Sequence, residues 1–192
     1  LSVEDIKKTE LYHAKAEAAV AMAAFSDYGE YLDSLDMKAV IRSFEEMYIQ
    51  RIAQLTNKSN QFNLTTLRCS EDEIRNMMSG NYITLYGKLE DKFGDNGVVT
   101  VVAGEVRGKE LHIRLWLMSC RVLKRGMEDA MMDVLMDKAK AFGIDTVYGY
   151  YYPTAKNGMV KDFYSEMGFK SLSEESDGIT WLFQTKDYHK RT

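Results

Sequence analysis

Residues 82–118 contain three consecutive period-two apolar runs, Tyr82 to Glu90, Val98 to Glu105 and Leu111 to Met118, separated by turns rich in glycine. Three strands joined so closely can only pair as an antiparallel meander. The run after them changes period. Met127, Ala130, Met131, Val134, Leu135, Ala139 and Phe142 recur at helical spacing and Gly143 follows, which predicts a helix over 126–142. A strand over 145–152 ends at Pro153, a helix over 157–167 ends at Gly168, and two strands close the chain around Asp177-Gly178. Upstream, Met37 to Ile41 reads as a short strand. Ser43 and Glu46 read as the capping box of a helix carrying Phe44, Met47, Tyr48, Ile52 and Leu55, and Ser70 and Glu73 as the box of a second helix ending near Gly80. The expected order over residues 36–192 is β-α-α-β-β-β-α-β-α-β-β, an α/β (α+β) fold with a central mixed sheet flanked by helices. In the third meander strand, strict alternation puts Leu111, Ile113, Leu115 and Leu117 on one face and His112, Arg114, Trp116 and Met118 on the other.

Residues 1–33 have helical spacing at Leu11, Ala14, Ala18, Ala21, Phe25, Tyr28 and Leu32, with a capping box at Ser2 and Asp5. They pack on the chain's own domain or, as residues 1–35, form a connector helix from a preceding one.

Lys and Arg total 25 against 29 Asp and Glu, a net charge of −4, so no basic surface for nucleic acid is expected. Two cysteines and three scattered histidines predict no metal site and no disulfide framework, and fit a cytoplasmic location. The longest uninterrupted apolar stretch, Ala18 to Phe25, is too short for a bilayer, and no membrane role is expected.

The turn Ser119 to Gly126 holds Arg121, Lys124 and Arg125 at the start of the long helix, where free amides and the macrodipole favour an anion such as phosphate. Glu128 and Asp129 in the first helical turn satisfy the same dipole without a ligand. Cys120 reads as a nucleophile activated by those cations or as a small buried hydrophobe. His112 reads as a general base or a hydrogen-bonded structural histidine. Asp95 reads as a turn former or as a carboxylate beside a substrate. Asn57, Asn60, Gln61, Asn63, Thr65 and Thr66 form a polar loop that contacts a substrate or bonds its own backbone.

The turn at 119–126 resembles the pyrophosphate-binding motif of GNAT-like acyltransferases, with Arg121 and Gly126 matching and Lys124 in place of the first glycine. The element order resembles that fold over residues 37–185, and 157–169 (NGMVKDFYSEMGF) resembles its second motif. The resemblance implies that Ser119, Arg121, Lys124, Arg125 and Gly126 hold the phosphate of a phosphopantetheine arm. It also implies that Asn157 contacts the arm's amides and that Tyr164 protonates the departing thiolate. The stretches 52–66 (IAQLTNKSNQFNLTT), 91–97 (DKFGDNG), 119–128 (SCRVLKRGME) and 153–157 (PTAKN) are similar to the C-terminal region of FkbH-like proteins. That likeness implies a preceding HAD-type phosphatase domain and an acyl carrier protein as partners. The implied activity is transfer of a glyceryl group from a phosphoglycerate donor to the carrier's phosphopantetheine thiol, toward methoxymalonyl-type units. No tightly bound cofactor is implied, and the arm comes on a carrier or as acyl-CoA. The sequence contains no Asp-x-Asp, so HAD phosphoryl chemistry does not reside in these residues. Two alternatives stand beside it: a CoA-dependent N- or O-acetyltransferase, and a non-catalytic carrier-docking module.

Overall fold

The computed structural model describes residues 16, 37–123 and 125–192. The helix and connector expected over residues 1–35, and Lys124 of the anion turn, lie outside the described residues.

Strands β1 (Lys38–Arg42), β2 (Tyr82–Asp91), β3 (Gly94–Arg107), β4 (Glu110–Met118), β5 (Thr146–Tyr151), β6 (Lys170–Glu175) and β7 (Gly178–Gln184) form one sheet in the order β1-β2-β3-β4-β5-β7-β6. Helices α1 (Ile49–Lys58), α2 (Glu71–Ser79), α3 (Met127–Ala141) and the single turn α4 (Phe163–Glu166) connect them. The mixed α/β fold expected from the sequence is the one observed. The described residues divide into two compact units: one holds those up to Val40 with Lys88–Gly97, the other Ile41–Gly87 with Val98–Thr192.

The first unit carries the tip of the β2–β3 hairpin. Its turn sits at Lys92 and Phe93, earlier than Asp95-Asn-Gly suggests, because the Asp91 carboxylate accepts from the Phe93 and Gly94 amides. Asp95 then lies inside β3, accepts from the Gly97 amide at 2.7 Å and faces Lys88 at 3.6 Å.

In the second unit, α1 and α2 cover one sheet face. Ile52, Leu55 and Ile74 meet Val101, Ala103, Leu115 and Leu117 in a buried cluster. The Ser70–Glu73 capping box forms, but the Ser43–Glu46 box does not. The Phe44 amide there donates to Thr84 Oγ1, and a 3-10 turn at Glu46–Tyr48 leads into α1. On the opposite face, α3 lies over Gly87, where an added Cβ would come within 2.3 Å of Met127 and 2.5 Å of Thr100. Among the described residues, no helix is long and apolar enough to cross a membrane.

The strict alternation expected of β4 fails at one place. Ala103 of β3 pairs with Leu115, and the next residue, Gly104, pairs with Ile113, so Arg114 is an extra, bulged residue. A bulge re-aims every side chain beyond it. His112, opposite Glu105, therefore shares the α1/α2 face with Leu115 and Leu117. Leu111 and Ile113 share the α3 face with Trp116 and Met118. Polar chemistry and core are thus sorted within one strand.

Candidate functional site

β4 and β5 pair in parallel, and their pairing is short. Glu110 lies opposite Thr146, Leu111 opposite Val147 and His112 opposite Tyr148, with no pair beyond. β4 continues to Met118 and β5 to Tyr151, so their carboxyl ends diverge. Crevices at the carboxyl ends of parallel strands are the general ligand sites of open α/β sheets.

Gly149 is the first residue of β5 inside the divergence. Its missing side chain makes room on the α3 face for the Tyr164 ring, to which an added Cβ would come within 2.6 Å. Phe163 and Phe169 flank that ring at 5.1 and 5.0 Å. The Tyr164 hydroxyl is enclosed and has no hydrogen-bond partner among the described residues. Burial pushes its phenol far above the usual range. Buried hydroxyls without partners are rare, and a catalytic role is one of the reasons for keeping one.

The divergence itself is spanned by the α1–α2 loop. The Leu64 amide donates to the Trp116 oxygen at 3.0 Å and the Met118 amide donates to the Phe62 oxygen at 3.0 Å, so the segment pairs antiparallel to β4. The Tyr152 amide, just past β5, donates to the Leu64 oxygen at 2.9 Å. Asn157 completes the arrangement. Fully buried, it donates to the main-chain oxygens of Asn63 and Tyr152 at 3.0 Å each and accepts from the Thr154 amide at 2.7 Å.

Asn60, Asn63 and Thr65 of this loop are engaged within the chain. Asn63 is fully buried, donates to the Ser59 oxygen and accepts from the Thr66 amide, which stabilises Thr66 at a φ of 53°. Thr65 donates to the Arg114 oxygen at 2.7 Å, and Asn60 accepts from Arg68 at 2.6 Å. Gln61 is exposed and accepts from the Cys120 thiol at 3.2 Å, so the loop meets the anion turn there.

In that turn, Ser119 Oγ accepts from the Arg121 amide and side chain at 3.4 and 3.2 Å. Gly126, at a φ of 78°, precedes the first residue of α3, a left-handed conformation that other residues rarely adopt, and no side chain caps the helix. Of the two acids in its first turn, Asp129 is engaged by Arg191 at 2.7 Å.

A second polar group lies on the α1/α2 face beside the divergence. Glu110 Oε1 is 3.1 Å from His112 Nε2, and His112 Nδ1 is 2.7 Å from the Tyr150 hydroxyl. A carboxylate only accepts, so the Glu110 contact calls for a proton on Nε2, and in the neutral ring with that tautomer Nδ1 accepts from Tyr150. Tyr148 stacks on the imidazole at 4.8 Å. Burial raises the Tyr150 phenol, opposed by the Arg114 guanidinium over its ring at 5.2 Å. Glu105 holds Arg114 at 3.1 Å and Arg107 at 3.0 Å. Burial pushes the Glu105 carboxyl up, but these two cations hold it below its usual range. A cavity of about 200 Å³ opens here, lined by Thr65, Leu67, Ile113, Arg114, Tyr150 and Tyr152.

The structure brings Ser119, Cys120, Arg121 and Gln61 together at one end of the divergence, and Asn63, Thr65 and Asn157 within it. Asp95 belongs to the other compact unit. Among the described residues no cluster suited to a metal ion occurs. Glu110 and Tyr150 escaped the sequence reading. Their signal was a carboxylate two residues before a strand histidine and tyrosines alternating at 148, 150 and 152.

No family model and no curated protein matches the chain. Solved structures do. The ribosomal-protein-S18-alanine N-acetyltransferase of Escherichia coli is 13% identical, with a TM-score of 0.61 over 81% of this chain and 99% of that one. The spermidine N-acetyltransferase of Vibrio cholerae, in complex with CoA and spermine, is 14% identical, with a TM-score of 0.60 over 78% and 97%. The PaiA N-acetyltransferase of Thermoplasma acidophilum, in complex with CoA, is 14% identical, with a TM-score of 0.58 over 77% and 99%. The chain has the GNAT-like acetyltransferase fold.

Proposed function

We propose that this chain is an acyltransferase domain that takes its acyl group from a phosphopantetheine thioester, with acyl-CoA as the first candidate donor. The observation that carries the reading is the enclosed Tyr164 hydroxyl, unpartnered among the described residues, on a ring that lies against Gly149 at the head of the β4–β5 divergence. A phenol in that place can protonate a thiolate leaving from the crevice, and it needs no other partner until then. The uncapped start of α3, with Arg121 and Arg125 in the turn before it, suits the phosphate end of the arm. Two of the similar solved structures hold CoA, which supports the donor class.

In this reading the arm takes the place of residues 62–64. The groups those residues occupy, the Trp116 oxygen, the Met118 amide and the Asn157 carboxamide, are the ones an amide-bearing arm would use.

A second reading has one observation in its favour. The segment seated in the divergence belongs to one of the four stretches that resemble FkbH-like proteins. In that reading the arm belongs to an acyl carrier protein, the transferred group is glyceryl, and a HAD-type domain supplies the activated donor.

Calorimetric titration separates the two. Micromolar binding of acetyl-CoA, with thioester turnover lost in Tyr164→Phe, supports the first. Binding of a holo-carrier protein without binding of CoA supports the second. Failure to bind either ligand rejects both.

A further inference from the structure

Acyl transfer from a thioester needs two proton movements on opposite sides of the carbonyl: one off the attacking nucleophile and one onto the leaving thiolate. Neighbouring residues of a strand point to opposite faces. Tyr150 directs its hydroxyl to the α1/α2 face, while Gly149 beside it receives Tyr164 on the α3 face. Two phenols therefore flank the head of the divergence from opposite sides.

They are not equivalent. Tyr164 has no partner among the described residues, as suits an acid waiting for a thiolate. Tyr150 stands at the end of a carboxylate–imidazole–phenol chain through His112 and Glu110, at 2.7 and 3.1 Å. This is the logic of a nucleophile–histidine–carboxylate triad, in which the carboxylate fixes the tautomer and steadies the imidazolium. The Arg114 guanidinium above the Tyr150 ring steadies developing phenolate charge.

We infer that Glu110, His112 and Tyr150 form the proton-accepting relay for the acyl acceptor, which sits in the cavity between Tyr150, Tyr152, Leu67 and Arg114. This rests on the acyltransferase reading above. The cavity also narrows the acceptor's class. Its walls are largely aliphatic and aromatic, and Arg114 disfavours an ammonium beside it. The acceptor is an uncharged hydroxyl or thiol on an apolar body.

The acceptor oxygen or sulfur bonds to the thioester carbonyl carbon as its proton passes to Tyr150 Oη and the Tyr150 proton passes to His112 Nδ1. The carbon–sulfur bond then breaks, and the thiolate takes the Tyr164 proton. Solvent returns one proton to Tyr164 and removes one from His112. The net change is one acyl ester or thioester formed and one thiol released.

The test uses acetyl-CoA as donor and N-acetylcysteamine as thiol acceptor, with product followed by mass spectrometry. Tyr150→Phe and His112→Gln are each expected to lower turnover about 100-fold, with acetyl-CoA binding by calorimetry unchanged. Wild-type turnover in either variant overturns the relay. Nitrogen NMR of the histidines judges it independently of turnover, with His112→Gln giving the assignment. A protonated Nε2 and an accepting Nδ1, whose shift moves in Tyr150→Phe, supports the relay even if acetyl-CoA fails to bind and the donor reading falls. A protonated Nδ1 rejects the relay even if the donor binds.

Discussion

Asn157 holds Asn63 from 94 positions away in sequence, its carboxamide donating to the Asn63 main-chain oxygen at 3.0 Å in a fully buried site. The same carboxamide bonds the main chain of Tyr152 and Thr154, so truncation removes a partner from three main-chain groups, one of them in a buried contact. Asn157→Ala is expected to destabilise the fold by about 2–4 kcal/mol, since each orphaned group costs roughly 1–3 kcal/mol and water relieves part of it. Hydrogen exchange gives the sharper reading. The Leu64, Met118 and Tyr152 amides should exchange much faster in the variant, while those in the middle of α3 stay protected.

Tyr164→Phe should separate stability from activity. The hydroxyl is enclosed without a partner among the described residues, so removing it is expected to leave the melting temperature unchanged or raise it, with a gain of up to about 1–2 kcal/mol of stability. Thioester turnover is expected to fall roughly 100-fold. A clear loss of stability would mean that the hydroxyl has a partner.

Gly149→Ala tests the seat beneath that ring. A Cβ within 2.6 Å of the Tyr164 ring must move either the strand or the phenol, and overpacking of this kind costs about 1–3 kcal/mol. Pairing it with Tyr164→Leu should recover part of the loss, as measured by denaturant unfolding.

Much of this fold can be read from the chain. Glycines between period-two runs announce the meander, and Met127 to Phe142 announce α3. What escaped depends on long-range geometry. The bulge at Arg114 follows from the pairing of β4 with β3, and no alternation count reveals it. Asn63 carries a residue type that favours solvent, yet it is fully buried because its polar atoms find main-chain partners. His112 was visible as a candidate, but its partner Tyr150 is 38 positions away. Tyr164 and Asn157 were legible only by resemblance, and nothing in their local sequence forecast their burial.

Asp133 makes acid stability testable. Burial raises its carboxyl, but hydrogen bonds from Thr192, Tyr188 and the Arg191 amide outweigh this and hold it below the ordinary Asp value. A depressed carboxylate contributes stability that is present above its unfolded pKa of about 3.9 and is lost as pH falls through the folded value. Asp133→Asn should therefore melt lower than wild type at pH 7, by about 2 kcal/mol. The gap should close below about pH 4, as thermal scans across that range would show.

The segment that spans the β4–β5 divergence is covalently part of the chain, and so it competes with any ligand regardless of dilution. A ligand that needs the divergence open binds with its intrinsic affinity multiplied by the open fraction; if that fraction is about 1%, the measured dissociation constant rises about 100-fold. A freely diffusing thioester bears this penalty in full. An arm delivered by a docked macromolecule arrives at an effective concentration on the order of millimolar and largely escapes it. Loosening the latch at the Asn63 side chain should therefore help free CoA far more than a tethered arm. A loop seated in the crevice thus serves as a filter on how the acyl group is delivered.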